Sequence, residues 1–306
     1  MIALAVSLLH TLVALTLAPL LLGVINRTKA FFAGRHGQPL LQPYRDIAKL
    51  LGKGATYSRT TTWIFRAGPT VGLAAALAAA ALVPFGRVAA PLAFAGDLVL
   101  LVALMGLMRF CTVLAALDTG SSFEGMGASR EVAIAALAEP ALLLGLAAVA
   151  RDSGTLSLST MFQHAAIDPT THVGAAAALV VAALLVVFLA ENARIPIDDP
   201  ATHLELTMIH EVMVLDHGGP DLAFIQCGAA VKLWVLGALV VQAALPLPRA
   251  TSPWLTDAAF VAGMLGLAVV TGIVESTMAR VRLLRVPQLL VAAGALSAVA
   301  LVLVAR

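Results

Sequence analysis

Apolar residues in this chain come in long unbroken runs, and the polar residues collect between the runs instead of alternating within them. Such runs cover residues 1–25, 69–85, 96–117, 129–150, 174–190, 222–245, 254–275 and 286–304. A helix rises about 1.5 Å per residue and a bilayer's hydrocarbon core is about 30 Å thick, so a run of this length reads as a membrane-crossing helix. The pattern predicts an all-α, polytopic membrane protein with eight transmembrane helices. Composition agrees: 60% of the 306 residues are hydrophobic and only 12% are charged, more apolar material than one soluble core buries. There is no internal repeat and no low-complexity tract, and the connectors are short, so residues 1–306 read as a single integral membrane domain.

Two segments outside the runs have helical patterning of their own. Leu40, Leu41, Tyr44, Ile47, Ala48 and Leu51 recur at helical spacing while Gln42, Arg45, Asp46, Lys49 and Lys53 take the other positions, which predicts an amphipathic helix at the membrane interface. Asp199 and Pro200 form a helix start and Gly218 with Gly219 a helix stop, predicting a cytoplasmic loop helix over 201–217. On that helix Glu205 falls in the middle of the apolar arc and Glu211 falls toward the polar face. A carboxylate on an apolar face must hold a proton or meet a partner, and both conditions are common where protons are handled.

Basic residues fix an expected orientation. Eight lie between Arg27 and Arg66, and Arg130, Arg194, Arg280, Arg282 and Arg285 fall in other loops on the same side; Arg87, Arg151, Arg249 and Arg306 fall opposite. By the positive-inside rule the first side is cytoplasmic and both termini lie outside. The first run carries no basic residue before it, and Arg27 and Lys29 follow it, so it reads as a retained helix and not a cleaved signal. The formal net charge of +2 supports no nucleic-acid partner.

Charges at membrane depth are costly and mark candidate function. Glu139 lies midway along the fourth run beside Pro140, whose missing donor frees the carbonyl of Ala136 for water or a side chain. Lys232 lies about 15 Å into the sixth run, near the bilayer centre. Arg109 is nearer a span end and reads as structural or pairing, and Asp97 and Glu275 at span ends read as solvated charges. No catalytic, cofactor-binding or metal-binding residue is expected. Cys111 and Cys227 stand alone inside apolar runs, and His203, His210 and His217 recur about 10 Å apart along a helix, too far apart to share an ion.

Three motifs in order carry a family resemblance: GQPLLQPYRDIAKLLGK at 37–53, GASREVAIAALAEP at 127–140, and ENARIPIDDP at 191–200 with the segment that follows. With eight spans around them, the chain resembles the membrane subunit shared by respiratory complex I and energy-converting NiFe hydrogenases. IDDPATHLELTMIHEVMVLDHGGPDLA at 197–223 is more similar to the formate hydrogenlyase branch than to the quinone-linked branch. The resemblance implies residence in a bacterial or archaeal cytoplasmic (inner) membrane. It also implies partners: hydrogenase large and small subunits and an iron-sulfur protein, which would hold the NiFe site and iron-sulfur clusters, and an antiporter-like membrane subunit. It places Glu139, Glu191, Glu205 and Glu211 where the family's buried acidic path begins, with Arg194 pairing one of them and Asp198 and Asp199 shaping the loop.

The expected function is a non-redox anchor and proton-coupling subunit of a hydrogenase or formate hydrogenlyase type complex. Alternatives are a quinone-site subunit of a complex I type oxidoreductase and an autonomous ion transporter. The second lacks the paired interrupted helices of inverted-repeat transporters. The orientation is testable directly. A reporter fused after Gly54 should read cytoplasmic and one fused at Ser157 or after Arg306 external, whereas a cytoplasmic C-terminal reporter would require an odd number of spans.

Overall fold

The computed structural model describes residues 2–164, 172–198, 208–245 and 252–305. Among these residues the regular structure is helical apart from a single bridge between Phe85 and Val88. The helices are α1 (Ile2–Phe32), α2 (Gln42–Leu51), α3 (Trp63–Ala80), α4 (Asp97–Asp118), α5 (Ser122–Ser153), α6 (Leu158–His164), α7 (His172–Glu191), α8 (Gly219–Ala244), α9 (Pro253–Thr277) and α10 (Val286–Ala305). Eight of them are long and apolar enough to cross a membrane, as the runs predict. The interfacial helix forms as α2, with no buried residue of its own, and rests against α1 and α8.

α8 is the axis of the bundle: 72% of its apolar window is buried, more than in any other span. α3 and α4 pair beside it, α1 pairs with α9, and α10 packs into α5 and α7. Lipid is as apolar as leucine, so helices in a membrane associate through close packing and hydrogen bonds, which small residues permit. Gly68 of α3 shows this, since a Cβ there would stand 3.1 Å from both the Ala115 Cβ and the Cys111 carbonyl of α4. At the α5–α10 contact, the Ser297 hydroxyl donates to the Ala141 carbonyl at 2.9 Å.

Helix ends are fixed by partners remote in sequence. The chain expected to cross at 69–85 already turns helical at Trp63, because the Asp118 carboxylate at the end of α4 receives the Thr62 N–H at 2.6 Å and the Phe65 N–H at 3.3 Å. Asp97, expected as a solvated charge, is fully buried. It accepts from the Ser157 hydroxyl at 3.0 Å and the Leu158 N–H at 2.7 Å, and so anchors α6 within the otherwise polar 151–173 connection. Glu275 also departs from expectation, with its carboxylate enclosed between Lys29 and Arg194.

The expected loop helix departs further. Residues 199–207, including Asp199 and Glu205, lie outside the described residues; over 208–217 the chain makes only a 3-10 turn at Glu211–Val214. Asp198 gives the physical reason, since its carboxylate takes the N–H groups of Ile209 at 3.1 Å and His210 at 3.2 Å, the groups an α-helix would point at carbonyls four residues back.

Removing the Asp97 carboxylate tests this account. Asp97→Ala strands the Leu158 N–H in a buried site, and an unpaired buried donor costs about 1–3 kcal/mol, so the detergent-solubilised protein should melt at a lower temperature. An unchanged melting point would mean that Asp97 is hydrated, as its span-end position first suggested.

Candidate functional site

Four helices deliver five charged side chains to one point inside the bundle. The first is Arg109, on α4, one of the few polar residues on a helix in which Leu, Val, Ala and Met predominate. Two residues of α5 face it: its guanidinium Nη1 donates to Glu139 Oε1, and its Nε lies 3.3 Å from Glu131 Oε1. Nη2 donates to both oxygens of Glu191, at 2.5 and 2.6 Å. Lys232 of α8 closes the set, its Nζ 3.0 Å from Glu191 Oε2. With every group ionised, three carboxylates face two cations, leaving one negative charge in excess.

Glu191 is held inward by how α7 stops. Ala193 adopts φ +49°, the left-handed region, and the chain folds back so that Arg194 N–H reaches the Leu189 carbonyl at 2.9 Å and Ala193 N–H the Ala190 carbonyl at 3.1 Å. This is a helix-capping arrangement that glycine usually supplies, and an alanine there costs roughly 1–2 kcal/mol. The turn leaves Glu191 on the last helical residue and sends Arg194 away from the cluster.

Burial across the cluster is uneven. The side chains of Arg109 and Glu191 are 8% and 5% exposed, while that of Glu139 is 37% exposed. Glu139 is the member that opens outward from the bundle, next to Gly106 of α4, where a Cβ would stand 3.5 Å from its Oε1. The other members are enclosed, where each charge loses hydration and must be repaid by its partners.

The loop after α7 abuts the same point. His210 feels the charges of Glu131, Glu191, Lys232 and Asp198, and burial is the dominant influence, holding its imidazole below the ordinary histidine value. Asp198 pairs with Arg280 at 2.9 Å as well as receiving the two loop N–H groups. Arg130 of α5 donates to the Met208 carbonyl at 2.9 Å. A second group, Lys29, Glu275 and Arg194, ties the start of this loop to α1 and α9, with Lys29 Nζ 2.7 Å and Arg194 Nη1 3.4 Å from the Glu275 carboxylate. Glu211 lies on the 3-10 turn of the loop. It lines a cleft of about 390 Å³ between α1, α2, the loop and α8, with Lys29, Asp46, Asn192, His210 and Gln226.

The sequence candidates are therefore redistributed. Glu139, Glu191, Lys232 and Arg109 come together; Glu211 lines the cleft; Glu205 and Asp199 fall outside the described residues. Arg194, expected beside one of the path acids, meets Glu275 instead. Glu131 was not singled out, Glu275 was expected as a solvated charge, and Lys29 and His210 were named only for orientation and histidine spacing. The signal for Glu131 was available, because it stands eight residues before Glu139 on α5, about two helical turns away. Among the described residues no three His, Cys, Asp or Glu side chains converge as a metal site.

Comparison with known proteins gives this geometry a family. Residues 4–305 match the family described as NADH dehydrogenase. Formate hydrogenlyase subunit 4 of Escherichia coli (strain K12) is 32% identical over 288 residues, covering 90% of each chain. Hydrogenase-4 component C of the same organism is 32% identical over 288 residues, covering 91% of this chain and 88% of that one. In fold, the chain is similar to one in the membrane-bound sulfane sulfur reductase, an archaeal respiratory membrane complex, with a TM-score of 0.83 and 20% identity over 99% of this chain and 100% of that chain. A family match along nearly the whole chain, with eight membrane-crossing helices, makes this a multi-pass membrane protein that belongs to the NADH dehydrogenase family and is related to formate hydrogenlyase subunit 4 and hydrogenase-4 component C.

Proposed function

We propose that this chain is the non-redox membrane anchor and proton-coupling subunit of an energy-converting hydrogenase of the formate hydrogenlyase type. In this reading it sits in a bacterial or archaeal inner membrane as one membrane domain with both termini outside. Its basic loops carry a hydrophilic arm of hydrogenase large and small subunits and an iron-sulfur protein, which hold the NiFe site and the clusters, and an antiporter-like subunit lies beside it in the membrane. The observation that carries the reading is the Arg109 network, which links Glu191, the last residue of α7, to Glu139 midway along α5.

The physics of coupling follows from the spacing of those charges. At an effective dielectric constant near 20, moving one unit charge from about 4 Å to about 8 Å changes its interaction with a carboxylate by about 2 kcal/mol. A change of that size alters proton affinity by more than tenfold. Arm turnover that shifts the segment bearing Asp198 and His210 therefore changes the field at Glu131 and Glu191. The shared guanidinium passes the change to Glu139, whose partly open side chain exchanges its proton with a neighbouring path. Chemically the chain moves a proton and an electric field; electron transfer belongs to partners.

A second reading has its own observation. The cleft of about 390 Å³ beside α2 is large enough for a ring-bearing ligand, which favours the quinone-site alternative. Nickel in the purified complex supports the hydrogenase reading, and flavin with quinone reductase activity supports the other.

Substitution separates relay from scaffold. Glu139→Gln keeps shape and most hydrogen bonding while removing titration. The complex should assemble on a blue-native gel while donor-driven proton translocation in vesicles falls by about 100-fold, the low end of what a positioned proton-transferring group contributes. Full translocation in this variant would remove Glu139 from the path. Arg109→Met should behave differently, because it strands three carboxylates against Lys232 alone. Breaking a buried pair costs about 3–5 kcal/mol, so assembly itself should fail, and a normally assembled Arg109→Met complex would contradict the hub.

A further inference from the structure

The end of the bundle opposite the basic 27–66 loop is poor in charge. Residues 2–14 of α1 include one titratable side chain, His10, and residues 253–268 of α9 include one, Asp257. The matching stretches of α3 and α8, 71–80 and 234–244, have none, and the 81–92 turn packed among these helices adds Arg87. The histidine and the acid meet, with His10 Nε2 3.1 Å from Asp257 Oδ2. Among the described residues Asp257 has no other ion-pair partner.

The other ring nitrogen decides the chemistry. His10 Nδ1 lies 2.8 Å from the Val6 carbonyl, one turn back on α1. A carbonyl only accepts, so Nδ1 carries a hydrogen. A neutral imidazole has just that one, and its Nε2 lone pair would then point at an ionised carboxylate, acceptor against acceptor. The contact is therefore made by one more proton. It is an imidazolium beside a carboxylate, or a neutral imidazole taking the hydrogen of a carboxylic acid, and in both the pair is neutral overall.

The surroundings hold this geometry. Gly86, at φ +57°, lies against Asp257, where a Cβ would stand 3.5 Å from Oδ1 and 3.4 Å from the Phe260 Cβ. Gln242 of α8 fixes the same turn, its Nε2 donating to the Pro84 carbonyl at 2.9 Å. The Phe85 ring centre is 5.1 Å from that of His10, 4.8 Å from Phe260 and 6.2 Å from Trp234. Phe260 stands three residues deeper in α9 than Asp257, so aromatic rings back the pair toward the membrane interior. His10 and Asp257 keep 21% and 18% exposure, and Asp257 is in the second turn of its helix, near water. At their far ends α1 and α9 are tied by Lys29 and Glu275 at 2.7 Å, a contact with no histidine in it.

We propose that His10 and Asp257 form a proton-binding site that ties the first turns of α9 to α1, loaded from water at that end of the bundle and separate from the Arg109 network. When the proton leaves to water, from Nε2 or from the carboxyl oxygen, the tie becomes a repulsion between a lone pair and a carboxylate. In the orientation of the proposed function, on which this last step rests, the site loads from the compartment that receives translocated protons.

The test treats the full chain in nanodiscs with diethylpyrocarbonate, which acylates an imidazole nitrogen with a free lone pair, and follows His10 and the exposed His36 by mass spectrometry. In the proton-bearing pair neither nitrogen of His10 has a free lone pair. At about pH 7 His10 should react about tenfold more slowly than His36, the effect of one hydrogen bond to a charged group. The two rates should converge at about pH 9, above the range in which histidine changes charge. Asp257→Ala should raise the His10 rate about tenfold at the lower pH and leave His36 unchanged. Should that variant not fold, the wild-type rates at the two pH values decide alone. Equal rates for His10 and His36 at the lower pH would overturn the site, as would a His10 rate unmoved by Asp257→Ala. A His10 rate that stays slow at both pH values would mean occlusion with no proton held, and would overturn it too. A cytoplasmic reporter after Arg306 would reverse the compartment and leave these rates as they are, so orientation and site fail separately.

Discussion

The guanidinium of Arg109 is the constraint around which the membrane domain is arranged. Taking a charge out of water costs several kcal/mol, and an arginine on a leucine-rich helix is sustained only if anions reach it from every open side. Here they come from α5 twice and from α7 once, and α8 adds Lys232 to share the load on Glu191. These demands fix the relative rotation of four helices. The small residues along their contacts, such as Gly106 beside Glu139, let the backbones come close enough for the carboxylates to reach.

The described parts of the loop, 192–198 and 208–217, are tied to the network and to distant helices. Asp198 and Arg194 stand four residues apart just beyond α7, and each is tied to the far end of the chain, Asp198 to Arg280 and Arg194 to Glu275. Arg130 and Asp198 then hold the residues that place His210 within the field of Glu131 and Glu191. The described residues on both sides of 199–207 are thus tied to the cluster and to distant helices, and the proposed coupling runs through these ties.

Much of the architecture was legible from runs of apolar residues, because spanning a bilayer as a helix demands length and composition and little else. Arg109 shows where that reading ends. Its partner Glu191 lies 82 residues away, and a helix pattern reports which face a residue occupies but not which helix will meet that face. Asp97 and Glu275 misled for a related reason: a charge at a span end is solvated unless another segment folds over it, and α6 and the loop do so here. The 201–217 segment had good start and stop signals at its two ends. The described part becomes a 3-10 turn because Asp198 captures backbone groups that local propensity would have kept within a helix. Glu139 and Lys232 were found, since a lone charge deep in an apolar run needs no knowledge of its neighbours to be noticed.

The central claim is that the Arg109 network changes its proton content as the electron-transfer arm is reduced and oxidised. A redox-induced infrared difference spectrum of the intact complex, recorded in the carboxylic C=O stretching region, reads that change directly. The account predicts a band for a carboxylic acid gaining or losing its proton with the redox state, present in the wild type and absent in Glu139→Gln. A spectrum with no such band, or one whose band is unaltered by that substitution, would contradict it.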